Sequence, residues 1–430
     1  MSNESMLLND FAVSDETTRK RAVIAVIIGN GFEWFDFISY SFFSIIIAKL
    51  FFPTGDDNIS LLLSVSTIGV GFFMRPVGGI VLGGLADKAG RKTALAITIL
   101  LMTIGTALIG FAPTYEQAGL AAPAIIVLAR LLQGFSAGGE MGGATAYLMD
   151  RVPTERRGYY TSWIQASIGF AIILSAALGT FIVNHLTPAQ IESWGWRIPF
   201  LLGLLLGPVG MYIRSSLTES DAPDRLARES APVVEIVRGM SKEVFVGFGL
   251  VIFWTVCSYV LLFYIPTYAV KVLKLESAAG FIAVLVGATI VLVGTPIVGH
   301  LSDLYGRRRF LVGAVLAAAI FAYPMFAYIN THPGLSSLIA FQVFFGLVIA
   351  CYEGPILAAI SELFPTRVLS TGISIAYNLA VITFGGFSAT IITWAIATTH
   401  NNLAPAFYVI VTAVLSLIAA LAWRPAYASR

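Results

Sequence analysis

Six ionisable side chains lie within stretches of this 430-residue chain that are apolar and long enough to cross a bilayer. They are Glu33, Asp36, Arg75, Arg130, Glu140 and Glu353. A charged side chain at the centre of a membrane helix costs about 2.5–3.5 kcal/mol on insertion scales, so such residues are rare unless they serve a function. We therefore treat all six as candidate functional residues. The alternative for each is a fixed ion pair between two helices.

Proton coupling is the first chemistry that these residues predict. The four acids outnumber the two arginines, so an anionic substrate would be repelled unless one carboxylate took up a proton. Burial raises the pKa of a carboxyl group, whereas a nearby guanidinium lowers it. We predict that Asp36 alternates between a proton and the guanidinium of Arg130, because both are expected at a similar depth. Glu33 and Glu140 are the further proton-coupling candidates.

Anion binding is the second predicted chemistry, because a guanidinium offers a planar pair of donors to a carboxylate. The predicted substrate-binding residues are Arg75, Arg130, Gln133, Tyr40, Glu353, Tyr377 and Asn378. The helical period places Gln133 on the Arg130 face and Tyr40 on the Asp36 face. For Arg75 the alternative is a structural brace beside the bend at Pro76. For the aromatic residues, the alternatives to substrate binding are packing between helices and an aromatic belt at the membrane interface.

The elements that must position these residues are predicted to be transmembrane helices. Hydrophobic residues make up 57% of the chain, charged residues 12%, and the mean hydropathy is +0.84. About 20 apolar residues span a hydrocarbon layer of about 30 Å. Twelve such spans are predicted, at residues 22–51, 60–86, 93–112, 119–149, 158–185, 196–214, 244–271, 278–302, 310–330, 335–361, 368–397 and 403–424.

Other functional classes find little support in the composition. Cys257 and Cys351 both fall within predicted spans, so neither a disulfide framework nor a metal site is expected. A net charge of +2 gives no reason to expect nucleic acid as a partner. We expect no cofactor and no enzymatic activity, because no nucleophile–base set occurs in the sequence. A receptor built on a carrier scaffold is the alternative from a different class.

A charged turn occurs twice, half a chain apart. Asp87, Gly90 and Arg91 follow one apolar run, and Asp303, Gly306 and Arg307 follow another at the same spacing. A turn repeated on the same membrane face indicates two parallel repeats, as in large transporters. We predict that Asp87, Arg91, Asp303 and Arg307 gate alternating access through contacts made in one state and broken in another. The alternative is that the basic residues of these turns only set the orientation of the helices in the membrane.

The predicted organisation has two six-helix halves. It divides into a tail at 1–21, a first half at 22–214, a linker at 215–243, a second half at 244–424 and a C-terminus at 425–430. Most Lys and Arg residues fall in the tail, the linker and the connections on one side, which predicts that both termini are cytoplasmic. We further expect the protein to be a monomer in the lipid bilayer of a bacterial inner membrane.

Four further motifs carry a family resemblance. They are Gly29–Phe37, Phe73–Gly79, Gln133–Glu140 and Trp194–Phe200. The doubled turn and Leu128–Gly134 resemble the major facilitator superfamily, and the four motifs are similar to its metabolite:proton symporter family. The resemblance covers nearly the whole chain and implies twelve helices and proton symport of a small carboxylate. That family includes symporters for citrate, oxoglutarate, shikimate, proline and betaine.

The residues and the resemblance together predict an all-α membrane protein that imports a small carboxylate with protons by alternating access. The expected substrate is a di- or tricarboxylate or an oxo acid, such as citrate or oxoglutarate. The alternative is a zwitterionic osmolyte such as proline or betaine, which aromatic rings could hold by its ammonium group.

Overall fold

A computed structural model of the protein describes residues 24, 27–89, 91–138, 140–149, 152–215, 236 and 239–425. The description covers the backbone alone at 83–89, 91–96, 206, 208–215 and 367. Within this described part of the chain the regular structure is helical and no strand occurs. The predicted tail and most of the predicted linker lie outside the described residues, so those boundaries stay predictions.

Twelve helical segments, α1 to α12, correspond to the twelve predicted spans. The first six are α1 (Ile27–Phe42 and Ser44–Phe51), α2 (Asp57–Ala89), α3 (Arg91–Gly110), α4 (Ala121–Ala137 and Glu140–Met149), α5 (Arg157–His185) and α6 (Ile198–Ser215). The last six are α7 (Ser241–Ser258, Tyr259–Phe263 and Ile265–Lys271), α8 (Ser277–Tyr305), α9 (Arg307–Thr331), α10 (Leu335–Ser361), α11 (Leu369–Ala380, Val381–Gly385 and Ser388–Thr399) and α12 (Ala404–Ala422).

The lengths of these helices suit a membrane. Nine spans among the described residues are long and apolar enough to cross it, and α1 is a tenth when its two pieces are joined. Shorter apolar stretches at Ile97–Gly110 and Gly195–Leu205 belong to α3 and α6. Short connections join successive spans within each half, so successive helices run in opposite directions, and Asp303 binds the start of α5. The α2–α3, α4–α5 and α8–α9 connections therefore share one face. We call it the terminal face, because α1 begins there.

Four of the helices, α1, α4, α7 and α11, are described in more than one piece. The two pieces of α1 meet at Phe43 with a bend of 65°. Tyr259–Phe263 in α7 and Val381–Gly385 in α11 are π-helical turns, which insert an extra residue per turn and rotate the following side chains. The apolar pattern predicts none of these breaks, since hydropathy reports on length and not on local winding.

Glycines allow the helices within the first half to approach closely. A Cβ atom on Gly134 of α4 would lie 1.8 Å from the Gly71 carbonyl oxygen of α2. One on Gly78 of α2 would lie 1.8 Å from the Phe135 carbonyl oxygen of α4. Small residues at such crossings permit backbone contact where lipid supplies no hydrophobic drive to association. The α2–α4 crossing therefore fixes Arg75 and Arg130 on neighbouring helices.

The two halves meet along α5 with α8 and α2 with α11. A Cβ atom on Gly158 of α5 would lie 2.6 Å from the Gly299 carbonyl oxygen of α8. A Cβ atom on Gly69 of α2 would lie 2.5 Å from the Phe387 ring, next to α11. The residues between these contacts form the centre of the molecule, where the candidate site lies.

Candidate functional site between the two halves

Arg75 occupies the centre of the site. It immediately precedes Pro76 inside α2, and its side chain is 2% exposed. The guanidinium carbon lies 4.1 Å from the centroid of the Phe72 ring, 5.4 Å from Phe37 and 5.7 Å from Trp34. Its Nε and Nη2 atoms have no hydrogen-bond partner among the described residues. A buried cation held by aromatic faces, with free donors, is arranged to receive an anion.

The second half completes the aromatic surroundings of Arg75. The Tyr259 ring of α7 lies 5.8 Å from Phe72 and 6.1 Å from Trp34, and the Phe263 ring lies 6.1 Å from Trp34. We call Trp34, Phe37, Phe72, Tyr259 and Phe263 the aromatic cluster. Tyr259 and Phe263 belong to the π-helical turn, which is the element that brings them across to the first half. The cluster therefore closes the centre from both halves.

Two polar residues of the second half also face this centre. Tyr377 of α11 packs its ring 5.0 Å from Trp254 and is an electrostatic neighbour of Arg75. Asn378 donates from Nδ2 to the Gly138 carbonyl oxygen at 2.9 Å and so links α11 to the first half. Its Oδ1 atom has no partner among the described residues. Both predicted residues thus lie where the halves meet.

Arg130 is a second fully buried guanidinium. Its guanidinium carbon lies 3.6 Å from the centroid of the Tyr40 ring and 5.6 Å from Phe37, the ring that also borders Arg75. Nη1 donates to Gln133 Oε1 at 2.8 Å, while Nε and Nη2 have no partner in the described part of the chain. The two arginines therefore flank one phenylalanine and each retains free donors.

A chain of hydrogen bonds joins Arg130 to Asp36. Gln133 Nε2 donates to Thr106 Oγ1 at 3.1 Å, and the Thr106 hydroxyl donates to Asp36 Oδ2. Asp36 Oδ1 is buried without a hydrogen-bond partner among the described residues. Asp36 and Arg130 are electrostatic neighbours but form no direct ion pair. The predicted pairing is therefore indirect here, through Gln133 and Thr106.

Glu353 is the buried carboxylate of the second half. It is 3% exposed on α10, and Oε1 accepts a hydrogen bond of 2.6 Å from the hydroxyl of Ser258 on α7. It is also an electrostatic neighbour of Tyr377. Glu353 thus binds α7 within the second half, near Tyr377.

Glu33 and Glu140 are half-buried and lie in the first half, where both line a small cavity together with Asp36. Glu33 is also an electrostatic neighbour of Tyr259 and Tyr377. The three predicted proton-coupling acids therefore share one cavity. The sequence did not predict this, because Glu33 and Asp36 lie on α1 and Glu140 lies on α4.

The second copy of the charged turn joins the two halves at the terminal face. Asp303 Oδ1 and Oδ2 accept the backbone N–H groups of Gly158 and Tyr159 at 2.8 and 2.9 Å, at the start of α5. Arg307 Nη1 binds Asp303 at 3.0 Å, and its Nε binds Glu362 at 2.6 Å. Burial raises the pKa of the Glu362 carboxyl, and the Arg307 charge opposes that rise. The side chains of Asp87 and Arg91 lie outside the described residues.

The chain matches the protein-family model described as Major Facilitator Superfamily over residues 28–380 and 276–429. It belongs to the Major Facilitator Superfamily. It is 35% identical over 400 residues to the "Citrate-proton symporter" of Klebsiella pneumoniae, covering 93% of this chain and 90% of that relative. It is 33% identical over 427 residues to the "Proline/betaine transporter" of Escherichia coli strain K12, covering 96% of this chain and 84% of that relative.

Solved structures of the superfamily have the same fold. A partially occluded inward-open structure of the xylose transporter XylE from E. coli superposes with a TM-score of 0.74 at 17% identity, covering 94% of this chain and 97% of that one. The predicted family and the all-α architecture of two six-helix halves are confirmed. The relatives bear the names of transporters, so a multi-pass membrane transporter is supported over an enzyme.

Several residues at the site of this superfamily member were not predicted from the sequence. Thr106 and the aromatic cluster carry much of the contact network, yet Thr106 has no distinctive spacing. Trp34 and Phe37 lie within the motif Gly29–Phe37, which is the signal that would have singled them out. Tyr259 depends on the π-helical turn, and hydropathy carries no signal for that.

Proposed function

We propose that this chain is a proton-coupled symporter that imports a small carboxylate by alternating access. The observation that carries the proposal is Arg75, a buried guanidinium between the halves whose Nε and Nη2 atoms have no hydrogen-bond partner among the described residues. Leaving buried donors without a partner is costly, because their desolvation is not repaid by a hydrogen bond. A substrate carboxylate supplies that partner and fits the planar donor fork in a bidentate manner.

The expected substrate is a di- or tricarboxylate or an oxo acid, such as citrate or oxoglutarate. Two arginines with free donors, Arg75 and Arg130, border the same Phe37 ring, so two carboxylate groups of one molecule find two cations nearby. The name of the Klebsiella pneumoniae relative agrees with this substrate class. Gln133, Tyr40, Tyr377, Asn378 and Glu353 remain the proposed polar contacts around the arginines.

A zwitterion such as proline or betaine is the second candidate. Its single carboxylate would use Arg75, and the aromatic cluster would hold the ammonium group by cation–π attraction. The name of the E. coli relative agrees with this candidate equally well. The two candidates differ in whether Arg130 or the aromatic cluster contributes the second contact.

Proton coupling is proposed to act through Asp36, with Glu33 and Glu140 assisting. A substrate carboxylate that engages Arg130 withdraws positive charge from the neighbourhood of Asp36, which favours the protonated acid. Loss of the proton then favours return of Arg130 toward the Asp36 carboxylate. The proton gradient is the proposed driving force, and no cofactor is required.

The proposed setting is the bacterial inner membrane with both termini in the cytoplasm, so the terminal face is the cytoplasmic one. The basic residues of the connections support this orientation. A monomer is the proposed functional unit, because the site is built from the two halves of one chain.

The test is uptake into proteoliposomes under an imposed inward proton gradient, with citrate, oxoglutarate, shikimate and betaine offered in turn. The wild type, Arg75→Lys and Arg75→Gln are compared, with Arg309→Gln, an exposed arginine, as the control. We expect gradient-driven uptake of one carboxylate and a loss of at least about tenfold with either Arg75 variant, the effect of about 1.4 kcal/mol. Wild-type uptake with Arg75→Gln would overturn the anion-binding role.

The second candidate and the coupling residue have their own variants. Tyr259→Leu removes an aromatic face. It is expected to abolish uptake if the substrate is betaine and to spare uptake if the substrate is citrate. Asp36→Asn is expected to keep substrate exchange and lose accumulation against a gradient. Accumulation that persists in Asp36→Asn would dismiss Asp36 as the coupling site.

A further inference from the structure

A small cavity lies inside the first half, away from the centre of the molecule. Its volume is about 60 Å³, and α1, α3, α4 and α6 enclose it. Its lining includes Asp36, Glu140, Thr103, Thr106, Gly203 and Gly207. Neither Arg75 nor any residue of the aromatic cluster lines it. The cavity is therefore separate from the aromatic surroundings of Arg75, and Glu33 and Asp36 are the lining residues that link it to the proposed substrate site.

Two glycines of α6 keep the cavity open. A Cβ atom on Gly203 would lie 2.3 Å from Asp36 Oδ1, and one on Gly207 would lie 2.7 Å from Thr103 Oγ1. Any other residue at either position would occupy space beside these oxygen atoms. The two glycines lie one helical turn apart on one face of α6, so together they form a groove along it.

The lining is chemically suited to water. It includes three carboxyl groups and several hydroxyl groups beside apolar surface, and a cavity of this size has room for about two water molecules. The Oδ1 atom of Asp36 is buried, borders the cavity and has no hydrogen-bond partner among the described residues. A water molecule in the cavity would supply that missing partner. The described residues include no group of acids, histidines or cysteines arranged to hold a metal ion.

The cavity runs from Asp36 toward the terminal face. Thr106 and Gly203 border Asp36 directly. Thr103 and Gly207 lie one turn nearer to the terminal face, because α3 rises from that face and α6 descends to it. Glu140 begins the second piece of α4, which ends at the same face. Acids and hydroxyl groups thus line the cavity on the side of Asp36 that faces the terminal face.

We propose that this cavity is a hydrated proton route that connects Asp36 to the terminal face without passing through the substrate site. A proton leaves Asp36 Oδ1 for a cavity water and passes to the Glu140 carboxylate and then to bulk water. Arg130, the nearby cation on the other side of Asp36, favours this release. The proposal rests on the proposed function, since it requires Asp36 to be the coupling acid.

The experiment blocks the route at a distance from Asp36. Gly207→Ala fills the groove beside Thr103, and Thr103→Val removes a lining hydroxyl group with little change of shape. Gly143→Ala is the matched control, because a Cβ atom there meets nothing within 4 Å. Each variant is reconstituted in proteoliposomes, where internal pyranine reports proton entry, and gradient-driven accumulation and substrate counterflow are measured on the same preparation.

We expect Gly207→Ala and Thr103→Val to slow proton entry and accumulation by about tenfold or more while counterflow stays within about twofold of wild type. Gly143→Ala is expected to match wild type in all three assays. Wild-type proton entry in both route variants, with coupling lost in Asp36→Asn, would overturn the route and leave the proposed function standing. Normal coupling in Asp36→Asn would overturn both the route and the coupling role of Asp36, while proton-driven uptake itself would stand. Uptake that requires Na⁺ would also overturn the route, because the cavity would then serve a different cation.

Discussion

Replacing Asp303 with asparagine tests the gate at the terminal face. The Asp303 carboxylate caps the start of α5 through the N–H groups of Gly158 and Tyr159 and also binds Arg307. Asp303 lies in the second half and α5 in the first, so rocking of the halves must break the two backbone hydrogen bonds. Asparagine has the same shape but offers one acceptor oxygen and no charge.

The expected loss follows from those contacts. A hydrogen bond to a charged group contributes about 1.5–3 kcal/mol, and Asp303→Asn removes at least one such bond together with the favourable charge at a helix N-terminus. A loss of about 2 kcal/mol shifts the balance between closed and open terminal faces by about 30-fold toward the open one. The fold itself is expected to persist, because Arg307 keeps its bond to Glu362 and the lost backbone hydrogen bonds lie between the halves.

Spin-label distances measure that shift directly. Labels at Arg156→Cys and Arg309→Cys, both exposed positions at the terminal face, report the separation of the halves after Cys257 and Cys351 are replaced by alanine. We expect the distance distribution of Asp303→Asn to move to longer values. Glu155→Gln, which changes an exposed carboxylate on the same face, is the control. A distribution for Asp303→Asn that matches both wild type and this control would refute the gating argument.

Two further variants test the packing and the network around Asp36. Gly134→Ala places a Cβ atom 1.8 Å from the Gly71 carbonyl oxygen and is expected to destabilise the fold by about 1–3 kcal/mol. The loss is measured as a lower unfolding temperature in detergent. Gly313→Ala, where a Cβ atom meets nothing within 4 Å, is expected to leave the unfolding temperature unchanged. Thr106→Val removes the link between Gln133 and Asp36 and is expected to slow gradient-driven uptake more than counterflow. Equal loss in the two transport assays would show that Thr106 supports folding or substrate binding instead.

The sequence was sufficient for the helical spans but not for the breaks within them. Long apolar runs predicted twelve spans, and the structure has a helical segment at each of them. A periodic pattern also places residues on a common face of one helix. It cannot tell which neighbouring helix that face meets, because the rotation of one helix against another is set by packing.

The position of Thr106 shows this limit. Thr106 of α3 reaches both Asp36 of α1 and Gln133 of α4, and the pattern along one helix does not specify how these three helices are rotated against one another. The π-helical turn at Tyr259–Phe263 is the second case, because an extra residue in one turn redirects the aromatic side chains that follow. Both features arise from contacts between distant segments of the chain.

Helix α1 is the element through which substrate and proton must influence each other. Asp36 and Phe37 are adjacent, yet Asp36 borders the cavity inside the first half while Phe37 borders the guanidinium groups of Arg75 and Arg130. A substrate that displaces Arg130 or presses on Phe37 therefore acts on the residue next to the proposed coupling acid. Any rotation of α1 that moves Phe37 also moves the Asp36 carboxylate relative to Thr106 and Gly203. Because the two groups are joined by one peptide unit, the proposed mechanism couples substrate binding to proton release through α1.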